Sequence, residues 1–524
     1  MKHPDYIIVG AGSAGCILAN RLSRDPGTRV LLIEAGKDTN NILMKMPAGF
    51  AYASKNPRFD WGYTSEPEPG LGGRRMPCPR GKVVGGSSAV NAMAFIRGSR
   101  QDFDAWARVA GPSWSFDSCL PYFKSIETFS GGANAYRGGS GPLGVKAPGY
   151  SNPLYHPFLD AAKEAGYRLN PDVNGAEQEG FGPMDQCIEG GRRSSAATAF
   201  IDPVRDRPNL RIMPEACVKK VVLDRGRATG VDVVVEGTVE RIVCEREVIL
   251  AAGAVGSPHI LMLSGVGDAS RLRRLDIDVV ADSPEVGANL MDHVDVTVRQ
   301  TCPVPITESL AMRLDQRLLI GLEWILFKTG RGSTNHFEVN GYIRTPSAAG
   351  HPNIQLCFMP LLVAYDGAPA LRNAHGYQVS VMLMPIQSRG RIELDDSAQP
   401  RLTFNYLQYP SEVAQLAEGV EAVRDILDQP SMRKYRGSEI APGEGVTSSA
   451  DLETFIRRTA KSTHHVCGTC RMGSDSASVV DEVGRVRQVE GLRVVDASIM
   501  PLITSGNINA PTMMLAEKIA STLI

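Results

Sequence analysis

Apolar residues fall into a few distinct rhythms along this chain. Near the start, the run YIIV (Tyr6–Val9) stops at glycines and gives way to GCILANRL, where Ile17, Leu18, Ala19 and Leu22 share one helical face. A second run, VLLI (Val30–Ile33), follows. A short apolar run bounded by glycine reads as a buried strand and a 3.6-residue period as an amphipathic helix, so this stretch predicts strand, helix, strand. VILAAGAVGSPHILMLSGVG (248–267) is long enough to raise the membrane question. Pro258 and its glycines cut it, which predicts strand, turn and then helix. HPNIQLCFMPLLVAY, GYQVSVMLMPI and GRIELDD, between 351 and 396, are apolar runs ended by Gly, Pro or Asp and predict strands. The final PTMMLAEKIASTLI has the spacing of a core helix, with Pro511 suited to its first turn and the Met pair to its core side.

Composition narrows the class. At 524 residues the chain exceeds one ordinary domain, so two lobes are expected. With 43% hydrophobic and 22% charged residues it is a globular protein, and a net charge of −1 gives no electrostatic reason to bind nucleic acid or an anionic membrane. Ten scattered cysteines suit reduced thiols rather than a disulfide scaffold. MKHPDYIIVGAG shows no charged leader before a long apolar stretch, so a cytoplasmic protein without a signal peptide or transmembrane segment is expected.

The turn between the first strand and helix reads Gly10-x-Gly12-x-x-Gly15, and the second strand delivers Glu34. Gly10 permits the tight turn, Gly12 lets the backbone approach a pyrophosphate, and Gly15 lets helix and strand pack closely. The helix N-terminus supplies unpaired N–H groups for phosphate, and Glu34 can accept from ribose hydroxyls. Dinucleotide binding follows. Placement at the extreme N-terminus leans toward FAD over NAD.

In PRGKVVGGSSAVNAMAFIRG (79–98), Gly85-Gly86-Ser87-Ser88 forms a small, polar segment able to lie against a flat cofactor. Further motifs follow in order: AAGAVGSPHILMLSGVG (251–267), EVGANLMDH (285–293), HHVCGTCRMG (464–473), LRVVDASIMP (492–501) and SGNINAPTMMLAEKIA (505–520). Together with the opening turn they resemble the glucose–methanol–choline family of flavin-dependent alcohol oxidoreductases, and within it the bacterial choline dehydrogenases. The resemblance implies an α/β (α+β overall) fold: a Rossmann-like FAD lobe from 1–155, 200–295 and 455–524, and a substrate lobe from 156–199 and 296–454, built on an antiparallel sheet backed by helices. The predicted strands between 351 and 396 would belong to that sheet. It also implies FAD held by Gly10, Gly12, Ser13, Ala14, Gly15 and Glu34, with Val84, Gly85, Asn91 and Ala92 along the flavin. The backbone of Val218 would lie near the adenine, and Asp496 and Ala497 near the ring system. Where some relatives attach FAD through a histidine, this chain has Val90, so a non-covalent flavin is expected.

STHHVCGTCRMG (462–473) joins two histidines to a C-x-x-C pair. A structural zinc site needs a second pair of ligands, and no other C-x-x-C occurs. A redox dithiol needs a helix N-terminus in a small βαβ domain. Cys467 and Cys470 are most simply small buried residues. Oxidising an alcohol requires removal of the hydroxyl proton, and histidine is the side chain whose ordinary pKa suits that task near neutrality. By resemblance His465 is the catalytic histidine, with Val466 where relatives usually have proline, and counting back from the Met pair places its partner at Asn509. His464 either lines the substrate pocket or only packs. In choline-oxidising relatives a carboxylate in the region of Glu338 sits near the substrate's ammonium group. Trp61 and Phe337 are candidate ring partners, because cation–π contacts favour such a cation. Equally, in family members acting on neutral alcohols such an acid only holds nearby structure, which is the other reading of Glu338, and His336 reads as a packed residue. Electrons would pass to O2 or to a quinone- or dye-like acceptor. The alternatives are an oxidase of an aromatic or heteroaromatic primary alcohol and a non-redox cleavage of cyanohydrins.

Overall fold

The computed structural model describes residues 3–39, 41–363 and 374–524. Its first layer is a parallel sheet of five short buried strands. β1 (Tyr6–Val9) leads into α1 (Ser13–Leu22), which returns the chain to β2 (Val30–Ile33). Across the sheet the order is Leu210–Met213, β2, β1, Glu247–Leu250 and Leu492–Val494. Tyr6 lies opposite Val30 on one side and Glu247 on the other. The strand order therefore reverses at β1, and ligands of such sheets bind beyond the carboxyl ends of the strands at that switch point. The closing helix Asn509–Ala520 packs on α1, and Met513 and Met514 are fully buried, as the spacing predicts.

Between the strands Leu210–Met213 and Glu247–Leu250 sits a three-stranded antiparallel sheet: Ala216–Asp224, Arg227–Val235 and Thr238–Val243. Both of its turns have two residues with positive φ, Arg225-Gly226 and Glu236-Gly237, the backbone that matches the twist of a hairpin.

The second large layer is a mainly antiparallel sheet ordered Glu439–Ala441, Val294–Thr301, Gly376–Leu383, Ile354–Met359, Val339–Ile343 and Gly180–Pro183, with Lys461–Ser462 also paired to Val294–Thr301. The helix Pro410–Asp428 backs it, burying Val413, Leu416, Val420, Val423 and Leu427. Gly419 lets the helix seat closely: a Cβ there would meet Val381 Cγ1 at 2.5 Å. Phe158, from the helix Tyr155–Glu164, stacks on Phe358 of the sheet with centroids 4.3 Å apart.

Two of the three runs predicted as strands between 351 and 396 join this sheet; the end of the first run lies outside the described residues. The third does not join. Arg391–Leu394 forms its own hairpin with Pro400–Thr403. Gly390 is pressed against the Thr403 carbonyl, and the Asp395 turn, closed by N–H groups of Ser397 and Gln399, sends the chain straight back. Among the described residues no helix is long and apolar enough to cross a membrane.

Candidate active site

Three chain crossings converge beyond the carboxyl ends of β1 and Glu247–Leu250. Gly10 has φ +101, and a Cβ there would lie 2.5 Å from the Ala251 carbonyl oxygen. A Cβ on Gly15 would lie 1.9 Å from Gly10 O, and one on Gly86 2.7 Å from Gly12 Cα. The glycine-serine segment is thus packed onto the first turn, and Gly85 N–H donates to Ala11 O at 2.7 Å. α1 begins at Ser13 with Gly12 as its N-cap and no side-chain cap, which leaves first-turn N–H groups for an anion. Glu34, buried at the end of β2, accepts from Ala11 N and Gly36 N, each at 2.8 Å. Burial pushes its carboxyl up to about 7 against the pull of those N–H groups. These residues fit the pyrophosphate and ribose of a dinucleotide: the turn has no room for a Cβ at Gly10 or Gly15, the helix end is uncapped, and the acid is in place.

The other residues expected at the cofactor each have defined partners. Val84 N–H donates to Lys37 O. Asn91 is clamped by Arg193, whose Nη1 donates to the Asn91 carbonyl and to its Oδ1. Burial depresses the Arg193 guanidinium to about 9. The Ala92 carbonyl accepts from Asn335 Nδ2 at 2.5 Å. Val218 is buried on the three-stranded sheet, at the bulge between Val218 and Lys220. Asp496 accepts from Gly253 N at 2.9 Å, Ser257 Oγ at 2.5 Å and Ser498 N at 2.8 Å, and the Ala497 carbonyl accepts from Gly468 N. Asp496 therefore ties the strand Leu492–Val494 to the start of the helix Gly253–Leu263 and to the segment carrying the histidines.

His465 lies where Lys461–Ser462 runs off its pairing with Val294 and Asp295. Asp292 Oδ1 accepts its backbone N–H at 2.6 Å, and Asp292 Oδ2 accepts from Tyr406 OH and Ser462 Oγ. The next residue, His293, sets its ring edge-on to that of His465 at 87°, with the two Nδ1 atoms 3.0 Å apart. Thr463 Oγ1 is 2.9 Å from His465 Nδ1 and donates to the His293 carbonyl. On the other edge, Asn507 Nδ2 sits 2.9 Å from His465 Nε2.

The tautomer follows from the orientation of the Asn507 amide. The Asn507 NH2, as placed by this network, can only donate, so Nε2 of His465 is the acceptor and the ring proton sits on Nδ1. That Nδ1–H is shared between Thr463 Oγ1 and His293 Nδ1, and His293 carries its own proton on Nε2. Burial, then the His293, His464 and Arg80 charges, hold His465 well below the ordinary histidine pKa, and burial takes His293 down to about 3. Both rings are neutral near pH 7. Asn507 Oδ1 is buried without a partner among the described residues, a polar atom left for a group from outside the chain.

The expected pairing of His465 with Asn509 is corrected. Asn509 opens the closing helix and turns toward α1, where its Oδ1 accepts from Ser13 Oγ at 2.7 Å; Asn507, two residues earlier in the preceding loop, reaches the imidazole. A helix start and the loop before it point in different directions, and counting back from the Met pair cannot tell them apart. Asp292, His293 and Thr463 also went unassigned, although the first two close the motif EVGANLMDH.

The expected cation cage is not assembled by the structure. Glu338 is 2% exposed, and its carboxylate accepts from Ser151 N at 2.6 Å, Ser151 Oγ at 2.7 Å and Thr334 Oγ1 at 2.6 Å. Trp61 stacks on Tyr63 at 5.9 Å, and Lys82 Nζ already stands over its ring at 4.7 Å. Phe337 packs instead against Phe50, centroids 6.2 Å apart. His336 is half-buried, with its carbonyl accepting from Tyr155 OH. His464 has a left-handed backbone (φ 65) and a solvent-accessible ring beside Ser462 Oγ, and its carbonyl accepts from Arg80 Nη2 at 2.6 Å. Cys467 and Cys470 are fully buried free thiols, both pushed up by burial.

Comparison with known proteins agrees with this geometry. Models of the GMC oxidoreductase family match residues 4–295 and 386–516. The chain is 45% identical over 526 residues to oxygen-dependent choline dehydrogenase 1 of Chromohalobacter salexigens, covering 98% of this chain and 94% of that one. It is 44% identical to the oxygen-dependent choline dehydrogenase of Paraburkholderia xenovorans, covering 99% and 94%. Among solved structures it resembles pyridoxine 4-oxidase from Mesorbium loti, with TM-score 0.91, 32% identity and 99% of both chains covered. It also resembles a formate oxidase, with TM-score 0.93, 25% identity and coverage of 100% and 98%. The nucleotide turn, the histidine pair and these likenesses lead to one assignment: the chain belongs to the GMC oxidoreductase family and is an FAD-dependent oxidoreductase of alcohol CH–OH donors.

Proposed function

We propose that this enzyme oxidises a primary alcohol to its aldehyde, with His465 as the group that takes the hydroxyl proton. The support is the 2.9 Å contact between Asn507 and His465 Nε2: with the amide NH2 turned to the ring, Nε2 is the unprotonated nitrogen, on the edge shared with an unpartnered amide oxygen. As the hydroxyl approaches, Nε2 exchanges its bond with Asn507 for the substrate proton. Thr463 Oγ1 and His293 Nδ1 remain on the far side to accept from Nδ1–H and stabilise the resulting imidazolium. Asp292 keeps the ring in place through the backbone. FAD, when held non-covalently by Gly10, Gly12, Ser13, Ala14, Gly15, Glu34, Val84, Gly85, Asn91, Ala92, Val218, Asp496 and Ala497, supplies the hydride acceptor. Val90 offers no atom for a covalent link.

Choline is the first substrate candidate, because the curated relatives at 45% and 44% identity are choline dehydrogenases described as oxygen-dependent. The same names favour O2 as the electron acceptor. A second reading, a neutral or heteroaromatic primary alcohol, is favoured by the carboxylate of Glu338, whose lone pairs are turned toward Ser151 and Thr334. Ten free thiols suit a cytoplasmic setting. The expected segments are kept as the proposed lobe limits, with the seam moved past Ser462, since Lys461–Ser462 pairs with the strand Val294–Thr301.

Anaerobic titration of the holoenzyme tests the proposal. Choline or a heteroaromatic primary alcohol should bleach the flavin, and admitting O2 should restore its colour with formation of peroxide. A flavin that no primary alcohol reduces, in an enzyme that cleaves a cyanohydrin, would replace oxidation with the non-redox alternative.

A further inference from the structure

One helix turns its apolar side outward. In Leu314–Phe327 the side chains of Leu314, Leu318, Leu319, Leu322, Ile325 and Leu326 are between 49% and 71% exposed. At 100° per residue they fall within an arc of about 140°, broken only by Asp315, which is paired with Arg313 at 3.1 Å. Trp324 marks the opposite side: it is buried, and its Nε1 donates to Gly191 O at 2.7 Å. Isolated exposed leucines are ordinary, but a contiguous stripe of them marks a binding face.

The charge around the stripe says what it meets. Arg317 donates to Tyr52 OH and lies over the Tyr52 ring at 5.1 Å, joining the helix to the segment 41–59. Segments 41–59 and 308–331 together hold seven Lys and Arg against three acids, in a chain whose net charge is −1. A two-fold pairing of this face with itself would bring two cationic rims together. The helix has 14 residues, about 21 Å of length, too short for a hydrocarbon core of about 30 Å. Those dimensions suit a helix lying in the plane of a headgroup layer.

We infer that this face docks on an anionic lipid surface, with the leucine stripe at the acyl boundary and Arg313, Arg317, Lys328, Lys45, Lys55 and Arg58 around it at headgroup level. The overall charge of the chain conceals this local excess of cations over acids.

The test is flotation of the holoenzyme with phosphatidylcholine vesicles, with and without phosphatidylglycerol, beside sedimentation velocity without lipid. Expected are flotation with the anionic vesicles, weakening with salt, and loss of at least roughly 10-fold in partitioning for Leu318→Glu combined with Leu322→Glu. Flavin content and turnover of a water-soluble alcohol should stay at wild-type level in that variant. Removing single cations such as Lys45 should cost roughly 5-fold each. A protein that stays at the bottom of the gradient with every vesicle overturns the inference, as does a wild-type dimer that the double variant dissociates while neither floats.

Discussion

The two ends of the site are built from different materials. The nucleotide end is made of backbone: three glycines with no room for a Cβ, an uncapped helix start and one buried acid. The proton-handling end is made of side chains drawn from residues 292–293, 463–465 and 507, none of which is adjacent in sequence to the others' segments. The first kind of site fails outright when one methyl group is added. The second is graded, since each partner tunes an imidazole that still exists without it.

The largest expected effect lies at the backbone end. Gly15→Val should abolish FAD retention, because its side chain would overlap Gly10 O. The purified protein would show no flavin absorbance, and normal flavin content would show that the turn is not a rigid cradle. Next is the imidazole. His465→Ala should keep FAD yet slow its anaerobic reduction by roughly 10²–10⁴-fold, the scale of a lost acid–base group. The two asparagines divide the ends cleanly. Asn507→Ala should slow reduction by roughly 10-fold or more, whereas Asn509→Ala should act mainly on stability through its bond to Ser13. Equal reduction rates in the two variants would erase the distinction.

A finer probe is pH. His293 is held neutral, at about 3, while an unfolded histidine titrates near 6.5. The unfolded chain therefore binds more protons between those values, and stability is complete above about pH 6.5 and lost progressively as pH falls toward 3. His293→Asn should flatten that acid limb in thermal melts and move the pH profile of flavin reduction, while a purely structural role would lower rates without moving the profile. The smallest effect belongs to the thiols. Cys470→Ala should cost about 1 kcal/mol or less in stability and leave reduction rates unchanged, and a large loss of activity would reopen a redox role for the pair.

The same contrast explains what was legible in the sequence. Gly10 and Gly15 are readable because steric closure admits one residue type there, Gly12 and Glu34 because they stand at fixed spacing from that turn, and the alternation of strand and helix around them is short and local. His465 is readable as chemistry, since few side chains can take a proton near neutrality. Asn507 was not, because two asparagines stand two positions apart and only the direction of a loop distinguishes them. His293 and Asp292 were hidden because their importance arises from strand pairing with Lys461–Ser462, about 170 residues away, which no local pattern encodes. Glu338 stayed open between two roles for the opposite reason. Its type suits an ammonium ion, but its hydrogen-bond partners, Ser151 and Thr334, are set by tertiary contacts. Arg391–Leu394 had strand composition, yet its pairing partner was decided by the turn that follows it.

Asp292 and His293 immediately precede the strand Val294–Thr301, the second strand from one edge of the antiparallel layer. One grips the main chain of His465 and the other its ring, so the imidazole is bolted to the edge of the antiparallel layer. Any slip of that layer as an alcohol seats itself would arrive at the imidazole through two successive peptide units, making the antiparallel layer a lever on proton transfer.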